Sequence, residues 1–310
     1  MKTAFVFPGQ GAQYIGMAMD FIQSDPHNLE VIDAFDKEHQ TNLKQVMQEG
    51  PEESLKQTSY TQPAILFHSI AALRRFQAHS KIVPSYVAGH SLGEFSAVVA
   101  SGILTTAEAM HLVHKRGEYM IKANAGIPFA MSAIIGLDAQ KVVDICTEAS
   151  STGLVQAVNF NTPIQTVISG TAEGVAAAGE LAKSKGAKRV LPLIVGGPFH
   201  TPLIAKASLW LHEEMKALSF RDGTIPVVSN YDALPCMDAA KEREKLAKQI
   251  ISPVRWVESV EFMVAQGVQR FIEFGPQKVL CGMIKNINKE VELFSIDKIE
   301  DVDAVVSAIR

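Results

Sequence analysis

The run Gly89-His90-Ser91-Leu92-Gly93 constrains this chain more than any other feature. Gly-x-Ser-x-Gly is the spacing of a nucleophile elbow, in which a strand turns sharply into a helix and presents one hydroxyl at the tip. Glycines flank such a serine because neighbouring backbone passes too close to tolerate a Cβ. The surrounding residues agree. Pro84 to Ala88 reads as a short buried strand, and Leu92 to Ala100 as the helix after it.

The rest of the chain alternates strands and helices. Thr3 to Phe7 is an apolar run closed by Pro8-Gly9, so it reads as a buried first strand, with a tight loop at Gln10 to Gln13. Helical patterns follow near 29–38, 41–49, 62–79 and 105–123. Residues 131–195 read as strand (131–137), helix (138–150), two strands (154–159 and 166–169), an Ala-rich helix (171–186) and a last strand (188–195). That β-α-β-β-α-β order is the ferredoxin-like unit. Beyond it, strands at 226–229 and 270–274 alternate with helices near 202–217, 238–250, 256–266 and 276–288. The expected architecture is α/β. A large domain with a parallel sheet covered on both faces, from segments 1–127 and 197–310, is interrupted by a small α+β domain at 128–196.

Composition narrows the function. With 310 residues and a net charge of −4, the molecule is no polyanion binder, so nucleic acid is not an expected partner. Three cysteines, Cys146, Cys236 and Cys281, are too few and too scattered for a disulfide framework or a Cys-x-x-Cys metal site, and a reducing cytoplasm fits them. No segment reaches the roughly 18 apolar residues of a membrane span, and the N-terminus lacks the apolar region of a signal peptide. No metal or cofactor is expected, and a monomer is.

A serine hydroxyl is a weak nucleophile and needs a base. Of nine histidines, His90 adjoins the serine, where a neighbour on an elbow usually points elsewhere. His111 and His114 share a helix, and His27, His39, His68, His79 and His212 read as surface or core residues. His200 stands out, because Gly196-Gly197-Pro198-Phe199 before it forms a rigid turn able to present a side chain into a cleft. Arg116 falls on the apolar stripe of helix 105–123, beside Ala109, Leu112, Val113 and Met120. A buried guanidinium needs an anion, either a protein carboxylate or a substrate carboxylate held by parallel N–H···O bonds. The backbone amides of Gln10, in the first loop, and Leu92, just after the serine, are candidate oxyanion-hole donors at strand ends.

Taken together, these residues resemble malonyl-CoA:acyl carrier protein transacylases and related polyketide synthase acyltransferases. The likeness runs along nearly the whole chain: Phe7-Pro8-Gly9-Gln10-Gly11, Thr61-Gln62-Pro63-Ala64, the elbow with Glu94, Lys115-Arg116-Gly117, Asn159-Phe160-Asn161-Thr162-Pro163, Phe199-His200, Gln249 with Ser252-Pro253-Val254-Arg255-Trp256, and Glu273-Phe274-Gly275-Pro276. The resemblance implies an α/β-hydrolase-like large domain and a ferredoxin-like small one. It implies Ser91 as nucleophile, His200 as base, Gln249 orienting the histidine through its backbone carbonyl, and Gln10 and Leu92 as oxyanion-hole amides. Arg116 becomes the clamp for the malonyl carboxylate, with Phe199, His90 and Gln62 also at the substrate. Where bacterial fatty-acid enzymes usually carry Ser before the histidine, this chain has Phe199, as in malonyl-selective polyketide acyltransferases. A ring there would crowd an α-methyl group, and both pathways stay open.

The implied reaction moves malonyl from malonyl-CoA to the phosphopantetheine thiol of acyl carrier protein through a malonyl-serine ester. Such carriers are acidic, so docking needs a local basic patch. Lys183, Lys185, Lys188 and Arg189 cluster near the end of the second small-domain helix, and Lys188 and Arg189 are the candidates. One rival is a serine esterase or thioesterase, whose third triad member would come from Asp138, Asp144, Glu148 or Glu173. Another is a non-catalytic acyl-binding protein.

Overall fold

The structure, a computed structural model, describes residues 1–124 and 126–309. In chain order it begins with β1 (Lys2–Phe7), α1 (Met19–Ser24), α2 (Pro26–His39), α3 (Leu43–Glu49), α4 (Glu52–Leu55) and α5 (Thr58–His79). Then come β2 (Tyr86–Gly89), α6 (Gly93–Ser101), α7 (Thr106–Lys122), β3 (Phe129–Ile135), α8 (Ala139–Ala149), β4 (Val155–Thr162), β5 (Gln165–Thr171), α9 (Ala172–Ser184) and β6 (Arg189–Pro192). The last part holds α10 (Ala205–Lys216), β7 (Val227–Val228), β8 (Pro235–Cys236), α11 (Ala239–Gln249), α12 (Trp256–Ala265), β9 (Val268–Phe274), α13 (Val279–Ile287), β10 (Glu292–Ile296) and α14 (Ile299–Ala308).

Six strands form one sheet in the order β10-β9-β1-β2-β7-β8, parallel except for the terminal β7–β8 pair. Strand β1 lies inside it and is buried on both faces, as its unbroken apolar run requires. Phe5 and Phe7 face one core with Phe76 and Phe274, the Phe5 and Phe274 rings 4.8 Å apart. Ala4 and Val6 face the other core, with Trp256 and Val260 of α12 and Leu280 and Ile284 of α13. The second sheet, β4-β5-β3-β6, is antiparallel, and Ile145 of α8 and Val175 and Ala178 of α9 pack in its core. Backbone bonds from Phe160 to the Val254 carbonyl (3.0 Å) and from Val254 to the Val158 carbonyl (2.8 Å) lash it to the segment after α11.

Three sequence expectations shift. The helix expected over 62–79 begins at Thr58 and carries Pro63 in its interior. A proline there leaves the carbonyl four residues back without its helical donor. That carbonyl, Ser59 O, instead accepts from His114 Nδ1 at 3.1 Å. The strand expected over 188–195 is ordered as strand only for Arg189–Pro192, an exposed edge from which the chain peels back toward the first sheet. The sequence reading also passed over α1, α4, β8, β10 and α14. β10 is a half-buried edge strand with no alternating pattern to mark it.

Candidate active site

The elbow forms where the sequence placed it. β2 ends at Gly89 and α6 starts at Gly93, and Ser91 between them sits at φ 52°, in the left-handed region. A non-glycine residue is held there only when its surroundings over-determine it. They do: Ser91 N–H donates to Asn230 Oδ1 (2.6 Å), Asn230 Nδ2 donates to Gly89 O (2.6 Å), and Gln249 Nε2 donates to Ser91 O (2.8 Å). Both glycines are obligatory. A Cβ on Gly89 would stand 1.9 Å from the Gly93 backbone, and one on Gly93 would stand 2.0 Å from Phe7 O.

His200 is brought to the same point from the end of the second sheet's segment. It too has a left-handed backbone, φ 62°, and is buried. Ser91 Oγ–H donates to its Nε2 at 2.9 Å, and its Nδ1–H donates to the backbone carbonyl of Gln249 at 2.9 Å. That pair of contacts fixes the tautomer with Nε2 as the acceptor. Burial first, and then the positive charge of Arg116, push the imidazole from its ordinary 6.5 down to about 3, so it is neutral and able to take a proton from the serine.

Arg116 lies on the buried face of α7, a helix started by a Thr105–Glu108 capping box. Close α5–α7 contact at Gly117, where a Cβ would meet Ser59 and Thr58 backbone at 2.8 Å, seats the arginine beside Gln62. Its Nη1 donates to Gln62 Oε1 (2.8 Å), and its Nη2 donates to Gln249 Oε1 (3.0 Å) and Ser91 Oγ (3.1 Å). Every one of these acceptors is neutral. Nε is buried without a partner, and the guanidinium lies 5.4 Å from the Phe95 ring centroid. Burial lowers Arg116 to about 10, which leaves it charged at neutral pH. No carboxylate hydrogen-bonds it among the described residues, but Glu94, joined to it through the Gln249 amide, lies close enough to favour its charge.

A cleft of about 180 Å³ opens over Ser91 between the two sheets. Gly9, Gln10, His90, Leu92, Arg116, Phe199 and His200 line it from one side, and Met131, Asn159, Asn161 and Val167 from the other. Neither the Gln10 nor the Leu92 amide meets an acceptor among the described residues, so both are free to donate into it. His90 is held by Asn161 Oδ1 at 2.8 Å and by an edge-to-face contact with Trp256. Gln62 does not line the cleft; it reaches the site only through Arg116. Lys188 and Arg189 are exposed at the start of β6 and make no ion pair among the described residues, whereas Lys183 and Lys185 pair with Glu180 and Glu148.

Sequence reasoning passed over three supporting residues. Asn230 clamps the elbow from just past β7, and a polar residue at a parallel strand's carboxyl end was the available signal. Glu94, in the elbow run itself, accepts from Gln249 Nε2 (2.6 Å) and Asn230 N–H (3.1 Å). Behind it lies Glu242, also fully buried. Desolvation pushes both carboxyls upward, and each raises the cost of charging the other. None of the acids proposed for an esterase triad touches His200; Asp138, for one, caps α8.

Comparison with known proteins gives this geometry a lineage. Residues 4–305 match the acyl transferase domain family. A malonyl CoA-acyl carrier protein transacylase from Bacillus subtilis (strain 168) is 42% identical over 310 residues, covering 100% of this chain and 98% of that protein. The solved acyl-carrier-protein S-malonyltransferase of Burkholderia pseudomallei 1710b superposes with a TM-score of 0.95 at 40% identity, over 99% of this chain and 100% of that one. A malonyl-transacylase solved in complex with its type II PKS acyl-carrier protein gives a TM-score of 0.95 at 37% identity, over 99% and 100% of the two chains. Matched from end to end in sequence and in fold, the chain belongs to the malonyl-CoA–acyl carrier protein transacylase family of acyl transferase domains.

Proposed function

We propose that this protein transfers a malonyl group from malonyl-CoA to the phosphopantetheine thiol of an acyl carrier protein by a two-step, serine-linked mechanism. The observation that carries the reading is Arg116. A buried guanidinium with neutral partners only, 3.1 Å from the Ser91 hydroxyl, marks where a substrate carboxylate belongs beside the reacting carbonyl.

In the first step Ser91 Oγ attacks the thioester carbonyl as His200 Nε2 takes its proton, and the Gln10 and Leu92 amides receive the developing oxyanion. The protonated imidazole returns the proton to the departing coenzyme A thiolate, leaving malonyl-Ser91. The carrier thiol then attacks this ester with His200 again as base, and the serine hydroxyl is restored. The Gln249 carbonyl holds the imidazole in register, so a carbonyl takes the place of a triad acid. A malonate bound at Arg116 offsets the positive charge that depresses His200, so substrate binding raises the basicity of its own catalyst. Phe199 narrows the cleft against an α-branched acyl group. His90 shapes the wall, and Gln62 aims Arg116.

The chemistry needs no metal or cofactor of the enzyme's own, and one chain supplies every group, so a monomer suffices. We read the first sheet with its helices as an α/β-hydrolase-like lobe, 1–127 with 197–310, and 128–196 as a ferredoxin-like lobe, supported by the strand order β4-β5-β3-β6. Lys188 and Arg189 are the proposed carrier contact. Three free cysteines suit a cytoplasmic enzyme, and no helix among the described residues is long and apolar enough to cross a membrane. Fatty-acid synthesis is the proposed setting. Phe199 is the observation that favours a trans-acting polyketide role as the second reading.

Incubation with malonyl-CoA alone, read by intact and peptide mass, tests the proposal. The expected result is a malonyl adduct on Ser91 that holo carrier protein discharges. No adduct, or release of free malonate without a carrier, refutes it.

A further inference from the structure

Away from the cleft, the last turn of α2 meets α7 in a cluster of imidazoles. Glu38, His39 and His111 each offer a ligand atom here, and the three atoms lie within 4.8 Å of one another. The Glu38 oxygen is 3.9 Å from His39 Nε2 and 3.6 Å from His111 Nδ1. Three ligands on a tetrahedral ion at 2.0–2.1 Å stand about 3.4 Å apart, so these atoms need to close by only a few tenths of an ångström on those edges.

Two further facts distinguish this cluster from a chance meeting of surface side chains. The His39 side chain is only 6% exposed, yet its Nε2 has no hydrogen-bond partner; His111 Nδ1 is buried and equally orphaned. Buried polar atoms are normally satisfied, and such an orphan calls for an explanation. His111 also donates its other nitrogen, Nε2, to Glu214 Oε1 at 2.9 Å, and Glu214 is held in turn by the Tyr119 hydroxyl at 2.6 Å. That leaves Nδ1 as the lone-pair nitrogen, the arrangement in which a carboxylate behind a ligating histidine fixes its tautomer. The rings are packed: Phe35 lies 4.5 Å from the His39 ring, and the His39 and His111 rings are 5.1 Å apart.

We propose that Glu38, His39 and His111 bind a divalent transition-metal ion of the zinc class, with three protein ligands and one position open to solvent. Imidazole and carboxylate donors without thiolate suit zinc, cobalt or nickel. The ion ties the end of α2 to α7, the helix whose later turn carries Arg116. None of its three ligands lines the cleft, so it takes no part in the malonyl transfer proposed above.

The test is a zinc titration of untagged, metal-stripped protein by calorimetry, with cobalt as a spectroscopic substitute. The expected result is one zinc per chain at micromolar or tighter affinity, a higher Tm with zinc than without, and the visible bands of tetrahedral cobalt. Glu38→Gln, at an exposed position, weakens binding at least tenfold with unchanged malonyl transfer. Glu214→Gln weakens it about 10–100-fold, as loss of an orienting carboxylate does. Failure to bind zinc at micromolar concentration overturns the proposal. So does wild-type affinity in Glu38→Gln or in a folded Glu38→Gln/His39→Asn variant, which would place the ion elsewhere.

Discussion

The main-chain carbonyl of Gln249 holds His200 from behind, 2.9 Å from Nδ1, while the Gln249 side chain holds the other participants. Its Oε1 takes a hydrogen bond from Arg116, and its Nε2 gives one to Ser91 O and one to Glu94. Gln249→Ala keeps the carbonyl and deletes the rest. Each buried hydrogen bond lost costs about 1–3 kcal/mol, so kcat/KM for malonyl transfer should fall about 10–100-fold. His200→Ala should fall further, by about 10²–10⁴. Equal losses in the two variants would contradict this division of labour.

Arg116→Ala should cost about 3–4 kcal/mol, or 10²–10³-fold in kcat/KM for malonyl-CoA, by leaving the substrate carboxylate unpaired. Transfer of acetyl should rise relative to malonyl. The variant has a second signature. Arg116 depresses the His200 value of about 3, so its removal raises that value and moves the acid limb of the reaction upward in pH. Inactivation of Ser91 by a neutral sulfonyl fluoride, followed from below pH 3 up to pH 8, reads this without needing a malonyl substrate. An unmoved limb would remove Arg116 from the electrostatics of the base.

Phe199 lines the wall of the cleft and is only 6% exposed, and the proposed steric role is directly testable. Phe199→Ser should raise the methylmalonyl-to-malonyl ratio of kcat/KM about tenfold, the low end of what one methyl group is worth in a pocket. Competition assays with mixed acyl-CoA substrates check it, and an unaltered ratio would refute the steric role.

Glu94 and Glu242 are buried carboxyls whose folded values lie above the ordinary 4.5. A raised folded value contributes stability that is complete below the unfolded value and declines as pH rises through the folded one. Stability should therefore fall on going from pH 5 into the alkaline range. Glu242→Gln removes one charge of the pair and should flatten that decline, by on the order of 1–3 kcal/mol at pH 9. Urea unfolding across the range measures it; parallel curves for variant and parent would show that the pair does not govern the slope.

Lys188 and Arg189 are exposed cations without an ion-pair partner among the described residues. Charge reversal at both should raise the KM for an acidic carrier protein several-fold, more at low salt than high, and leave formation of malonyl-Ser91 from malonyl-CoA untouched. Steady-state kinetics with carrier as the varied substrate decide the matter, and an unchanged KM would exclude this patch.

Much of this protein is written locally. The elbow was legible because two glycines and a serine at fixed spacing permit a turn that nothing else fits, and the Cβ clashes at Gly89 and Gly93 show why. The buried runs of β1 and β9 and the β-α-β-β-α-β order of the second sheet were legible from periodicity alone. Arg116 was legible as an anomaly, a charge on an apolar stripe. What the sequence could not contain is juxtaposition. Serine and histidine are 109 residues apart, and the Arg116–Gln249 contact spans 133. The neutral hydrogen-bond partners of Arg116 and the Asn230 clamp on the strained elbow arise only when strand ends from distant segments converge. So does the helix that continues through Pro63 because His114 covers the carbonyl it frees. Periodicity records which face of an element is buried; only the packed molecule decides what that face meets, because the energies that matter here depend on distances between groups the chain does not hold together.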